Sequence, residues 1–181
     1  MTVELQTIFT IGVYGYSEDA FFCAITENNI DLFIDIRARR GMRGSKYKFA
    51  NSNYLQAKLR ELGIAYAHLP ELAPSKEIRA LQWLADKEEK TLKRERTGLS
   101  KAYVKAYKRD VLNIYKRKPE KKFDAEAVLA EANQVAEFGC DRPLRRIVLF
   151  CVEQHPDACH RSLVAAALQS QLRVDIRHIV L

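Results

Sequence analysis

The chain contains no apolar run near the ~20 residues that a helix needs to cross a bilayer, so no membrane partner is expected. Its first residues, MTVELQTIFTIG, lack the basic and apolar regions of a secretory leader and start like a strand, which predicts a cytoplasmic protein. Cysteine is scarce, and four thiols in such a chain are expected to be reduced rather than paired. No Gly-x-Gly-x-x-Gly follows the first apolar run, and no Gly-Lys-Ser/Thr loop occurs anywhere. Both common glycine-built phosphate cradles are thereby excluded, and Gly12-Val13-Tyr14-Gly15 is too short to replace them. No repeat period and no low-complexity tract is present, which excludes solenoids and arrays.

What is present is ordinary for a globular protein: 181 residues, 48% hydrophobic and 29% charged, enough for one domain with a real core. The net charge of +7 points to an anionic partner, whether nucleic acid, nucleotide or phosphorylated metabolite. Nothing in the composition fixes an oligomeric state.

Strand and helix signals alternate along the chain. The run TIFTIG ending at Gly12 predicts a strand, and Ser17-Glu18-Asp19 predicts a capped helix with Phe21, Phe22 and Ile25 inward. Cys23 in this company reads as a small buried hydrophobe. DLFIDI over 31–36 predicts a central parallel strand, giving a βαβ unit. A helix is expected over 51–62, with Leu55, Leu59 and Leu62 recurring at helical spacing and Gly63 as its stop, then a strand over 64–69. His68 reads as a structural histidine, while Glu71 just beyond lies within reach of a pocket at the strand ends. Residues 75–138 are helical and charge-rich, with a break near Thr97-Gly98 and a turn containing Cys140 after them. A closing strand is expected over 173–181. The predicted class is a single-domain α/β fold over 1–181, with a mostly parallel sheet of about five strands and helices on both faces.

Two segments carry the chemistry. Residues 37–48 hold Arg37, Arg39, Arg40, Arg43, Lys46 and Lys48 without one carboxylate, directly after a strand. Tyr47, Phe49 and Tyr54 interleave with them as faces on which a base could stack. Residues 146–168, RIVLFCVEQHPDACHRSLVAAAL, read as a buried strand, a polar elbow and a helix. Open α/β sheets bind ligands where a strand's carboxyl end meets a helix N-terminus. A thiol on the first turn of that helix, beside His160 and Arg161, is in a setting that favours thiolate. The chemistry expected is Cys159 as nucleophile or essential thiol, with His160 and Glu153 as acid–base pair. Arg161, Arg37 and Arg40 are the anion clamp, and Asp35 and Tyr47 complete the substrate-binding set.

Plainer readings stand beside these. Asp157 reads as a helix N-cap, Pro156 as a turn former, and Cys151 as an inert core thiol. Cys151, His155, Cys159 and His160 are all soft ligands, but their spacing matches no zinc pattern, so no metal and no cofactor is expected.

Several of these motifs occur together in one family. TIG, Ser17-Glu18-Asp19, IDIR with Asp35 and Arg37, Phe49 with Asn51, YAHLPEL over 66–72, and C-x-E-x-x-P-x-x-C-H-R-S from Cys151 resemble the domain-of-unknown-function family numbered 488. The chain departs from that pattern where Val13-Tyr14 replaces His-Ser and where Ala-Pro follows Glu71-Leu72 in place of glycines. The resemblance implies an α/β fold and a cytoplasmic protein, and no activity. A weaker, fold-level likeness is to rhodanese domains, which implies sulfur transfer through Cys151. The leading expectation is an enzyme acting on a nucleotide, nucleic acid or other phosphorylated substrate. The alternative is a non-catalytic nucleic-acid-binding protein using the basic loop 37–48.

Overall fold

The computed structural model describes residues 4–92, 95–113, 123–136 and 143–181. They form five parallel strands, Thr7–Gly12 (β1), Leu32–Asp35 (β2), Ala65–His68 (β3), Arg146–Cys151 (β4) and Asp175–Ile179 (β5), in the order β3-β2-β4-β1-β5. β4 is the middle strand and registers Ile147 against Ile8 on one side and Leu32 on the other. Such a strand has no wet face, which is why its sequence reads as a continuous apolar run.

Helices Glu18–Glu27 (α1) and Ser52–Glu61 (α2) join the first three strands and cover one face of the sheet. Lys76–Glu88 (α3), Lys101–Tyr107 (α4), Ala125–Gln134 (α5) and His160–Leu172 (α6) belong to the other side. Side-chain parity along β4 separates the two cores. Ile147, Leu149 and Cys151 join the core under α4, α5 and α6, whereas Val148 and Phe150 join the aromatic core under α1 and α2.

The helix starts follow local chemistry. Ser17, Ser75, Ser100 and Asp124 accept the amides of Ala20, Ile78, Tyr103 and Ala127, each satisfying a donor that the first turn leaves orphaned. Asn29 and Gly63, both at positive φ, carry the chain out of α1 and α2.

Five expectations are corrected. Cys23 is exposed on α1, where its thiol donates to Glu27, because the buried stripe passes through Phe21, Phe22 and Ile25 instead. Phe49 is core, 2% exposed, so it offers no stacking face. Tyr54 is exposed but its hydroxyl is bonded to the Glu18 carboxylate. Asp157 lies in the 3-10 turn Pro156–Ala158, and the N-cap of α6 is Cys159. α3 and α4 are separated by a longer non-helical stretch than the Thr97-Gly98 break suggested. The turn at Cys140 lies outside the described residues. No helix among the described residues is long and apolar enough to cross a membrane.

Candidate active site at the carboxyl edge of the sheet

Strands β2 and β4 end side by side, and the loops that leave them diverge. The chain after β2 runs towards α2 on one face, while the chain after β4 turns into α6 on the other. That divergence opens a crevice at the strand ends. A cavity of about 340 Å³ fills it, within the size range of small-molecule sites.

Cys151, Cys159 and His160 sit at the floor. Cys151 ends β4, Cys159 caps α6 and His160 opens that helix; all three are buried and line the cavity. The His160 Nδ1 lies 4.0 Å from the Cys151 Sγ and 3.8 Å from the Cys159 Sγ. Its Nε2 lies 3.2 Å from the Ile36 carbonyl oxygen. A carbonyl only accepts, so Nε2 carries a hydrogen, and Nδ1 is left facing the two sulfurs.

The two thiols titrate in opposite directions. The hydrogen bond with Cys159, then burial, then the neighbouring negative charge hold Cys151 protonated well above the ordinary thiol range. Burial by itself pushes Cys159 up, but it is outweighed by the hydrogen bond from Cys151, by His160 and by Arg161, and Cys159 falls well below that range. The contact between the two sulfurs thus favours thiolate character at Cys159 over Cys151.

The walls carry guanidinium groups. Arg37, Arg39, Arg79 and Arg96 line the cavity, against the carboxylates Asp86 and Glu153. Arg37 is fixed from below: its Nε and Nη2 donate to Asp35 at 2.9 and 2.7 Å, and its plane lies 4.5 Å from the Phe150 ring centroid. Its Nη1 is buried with no protein partner, although Arg37 lines open space. A buried donor without a partner is rare and calls for an explanation such as a ligand. Arg96 bridges two elements, reaching Asp86 on α3 at 3.0 Å and Glu153 at 3.5 Å. Gln82 donates to Asp86 at 2.7 Å and accepts the Ser100 amide at 2.8 Å, so α3 is tied across the cavity as a wall. The remaining walls include Trp83, 60% exposed at the rim, and the buried Tyr103.

The sequence-expected residues divide into two groups. Cys159, His160, Glu153 and Arg37 all line this cavity, together with Cys151. Glu153 does not orient His160, since both ring nitrogens are otherwise engaged and the carboxylate pairs with Arg96. Asp35 is wholly buried and accepts from Arg37 and from the Tyr66 hydroxyl, so it holds the Arg37 side chain in place. Arg40 reaches the Tyr66 hydroxyl and is not among the lining residues. Tyr47 stands in a second cavity, its hydroxyl accepting the Gly15 amide at 3.1 Å. Arg161 is also elsewhere. Fully buried, it donates to the carbonyls of Glu153 at 2.5 Å and Gln154 at 2.9 Å and pins the loop after β4. Gly12 completes that clamp, because a Cβ there would fall 1.8 Å from the Glu153 carbonyl oxygen. His68 is structural, its Nε2 at 2.8 Å from the Arg37 carbonyl oxygen; Glu71 is exposed and His155 lies outside the sulfur cluster.

Sequence reasoning missed Arg79, Gln82, Asp86 and Arg96. The first three stand at i, i+3 and i+7 of one helix, and that stripe was visible as polar residues on one face of α3. Its meaning was hidden, because a solvated helix face has the same pattern.

The fold and the sulfur–imidazole cluster define an α/β protein with its candidate site over the central strand. The chain belongs to the DUF488 family, a domain of unknown function, whose model matches residues 18–168. No curated protein matches the chain, and no solved structure does.

Proposed function

We propose that the protein is a thiol-dependent enzyme acting on a small anionic substrate, a nucleotide or another phosphorylated molecule. The observation that carries this reading is the placement of a polarised Cys159 at the floor of a nucleotide-sized cavity walled by four arginines. Arg37, Arg39, Arg79 and Arg96 hold the anion, with the unpartnered Nη1 of Arg37 as one donor. Trp83 and Tyr103 offer aromatic surface beside it. Cys159 attacks the electrophilic centre of the bound molecule. The displaced group leaves with a proton from the Cys151–His160 pair, whose Nδ1 is placed to receive and return it. The helical segment 75–138 belongs to the same domain in this reading, since α3 supplies the wall. Sulfur transfer through Cys151 is disfavoured by the proton that Cys151 retains.

The test is alkylation of chelator-treated protein by iodoacetamide, with modified cysteines mapped by peptide mass. Cys159 is expected to react faster than the exposed Cys23, and inorganic phosphate or a nucleoside monophosphate is expected to slow it. A Cys159 that stays inert while Cys23 reacts sinks the proposal.

A second reading has its own observation. Arg39, Arg43, Lys46 and Lys48 are all exposed along the basic loop, which suits nucleic-acid binding without catalysis. Affinity for single-stranded oligonucleotides should then fall steeply with salt, and a salt-independent affinity excludes it.

A further inference from the structure

We propose that Cys151, Cys159 and His160 form a binding site for a soft divalent cation of the zinc class, with its fourth position open to the cavity. The inference shares the floor of the proposed active site and gives that site a regulator. With an ion in place both sulfurs are ligands, and Cys159 is no longer free to attack.

The geometry carries the argument. The three ligand atoms all lie within 4.8 Å of one another, and the nitrogen stands 3.8 and 4.0 Å from the sulfurs. A tetrahedral ion with Zn–S of about 2.3 Å and Zn–N of about 2.0–2.1 Å places N and S about 3.6 Å apart, and two sulfurs about 3.8 Å apart. The nitrogen–sulfur separations match to within a few tenths of an ångström, and the two sulfurs, within 4.8 Å of each other, need to close by at most about 1 Å.

The surroundings fit the same occupant. His160 donates Nε2–H to the Ile36 carbonyl, which fixes the ring and aims Nδ1 at the sulfurs. A histidine metal ligand is held in this way, by a hydrogen bond from its other nitrogen. The three ligands come from the end of the central strand and the start of α6, both rigid elements. Three protein ligands with an open fourth position is the pattern of a reactive zinc site, as against the closed four-ligand structural kind. Two thiolates and one imidazole also select a soft or borderline ion over calcium or magnesium. The nearby guanidiniums of Arg37 and Arg96 repel a bare cation, and they make an anion the favoured fourth ligand.

Sequence spacing gave no sign of this. Seven residues separate the two cysteines, and His160 directly follows the second, unlike any paired zinc motif. The loop pinned by Arg161 folds that interval back on itself, so ligands distant by spacing become neighbours.

The test uses metal-free, reduced protein titrated anaerobically with Co²⁺. One equivalent is expected to produce a near-ultraviolet thiolate-to-cobalt band with visible bands of tetrahedral intensity, both abolished by a stoichiometric amount of Zn²⁺. Cys151→Ser and Cys159→Ser should each weaken binding by at least about tenfold and diminish the thiolate band, whereas Cys23→Ser should leave it unchanged. His160→Gln should weaken binding while part of the thiolate band survives. Zn²⁺ should also slow alkylation of Cys159 by more than about tenfold, because a coordinated thiolate is a poor nucleophile. A wild-type protein that gives no cobalt band overturns the inference, as does binding that persists unchanged in a folded Cys151→Ser, Cys159→Ser double variant. Neither result touches the enzyme reading, which rests on the reactivity of Cys159 in the metal-free protein.

Discussion

The two faces of the sheet use their side chains for opposite ends. Under α1 and α2, Phe21 meets Tyr16, Phe22, Phe33, Phe49 and Phe150 with ring centroids 5.4–6.4 Å apart, largely edge to face. This face is packed with aromatic rings, and the buried Asp35–Arg37 pair lies against its Phe150 and Tyr66. Under α3, α4 and α6, the core instead runs out into two thiols, an imidazole and a cavity whose arginines include two buried nitrogens without partners, Nη1 of Arg37 and Nε of Arg96. One strand serves both, since Phe150 faces the aromatic core and Cys151 the cavity. The aromatic face gains stability from ring packing, while the opposite face retains buried polar groups that cost stability when they stand alone.

The largest effect should come from breaking the aromatic side. Phe21→Ala removes the hub of the aromatic cluster and is expected to destabilise the fold by about 3–5 kcal/mol in urea unfolding. In the fraction still folded, the alkylation rate of Cys159 should not change. If that rate collapses together with stability, the two faces are not independent and the comparison fails.

Arg161 stands between the faces and sharpens the distinction between clamp and staple. Its two hydrogen bonds fix the carbonyls of Glu153 and Gln154, and a charged donor to a buried acceptor contributes about 1.5–3 kcal/mol. Arg161→Met should therefore cost roughly 2–4 kcal/mol of stability and also slow alkylation of Cys159, whose thiolate loses a nearby positive charge. A normal stability with a lost phosphate affinity would instead restore Arg161 to the substrate.

Arg161 also marks the limit of what the sequence revealed. The strand-elbow-helix pattern at 146–168 located the site, because a continuous apolar run must be a central strand and its exit must lie at the crevice. Arg37 was equally legible, as a charge placed directly at a strand end, and it does line the cavity beside Cys159 and His160. Arg161 has the same local signature, yet its side chain turns away to the backbone of its own loop. Residue type gives a charge, and only packing says whether the loop or the solvent receives it. Cys23 and Cys151 are a parallel case. Both lie in apolar company, but helical phase exposes the first and strand parity sends the second to the cavity. The wall from α3 was the least legible part, because its position depends on how a long connection between β3 and β4 folds over the sheet end.

A pH profile tests the polarity of the thiol pair with a smaller effect. The lowered Cys159 keeps its thiolate at pH values where an ordinary thiol is protonated. Its alkylation rate should therefore level off below about pH 8.5, the ordinary thiol pKa. Cys23 should still be rising there, since its hydrogen bond to Glu27 holds it above the ordinary range. Cys151→Ala removes the hydrogen bond that favours the Cys159 thiolate, so the plateau should move to higher pH. A plateau that moves down, or a Cys159 profile that follows Cys23, would reverse the assignment of the two sulfurs.

The smallest effect on stability, and the most specific for function, is expected at Arg79. It stands exposed on α3 at the cavity wall, and its contact to the Ser75 carbonyl at 3.3 Å is long. Removing it should leave the unfolding midpoint where it is, because an exposed side chain with one long contact contributes little. The cavity, however, loses one of four guanidiniums, and the carboxylates Asp86 and Glu153 then weigh more heavily on any anion inside. Arg79→Ala should thus raise the phosphate concentration that protects Cys159 from alkylation, and Arg79→Lys should recover part of the loss, with charge restored but without the planar fork. If Arg43→Ala, on the exposed basic loop and outside the cavity, weakens protection as much as Arg79→Ala does, the anion is held by the general field of the surface. If only Arg79→Ala does so, the wall from α3 is part of the site, and the open face of the sheet owes its chemistry to a helix that the sequence presented as mere cover.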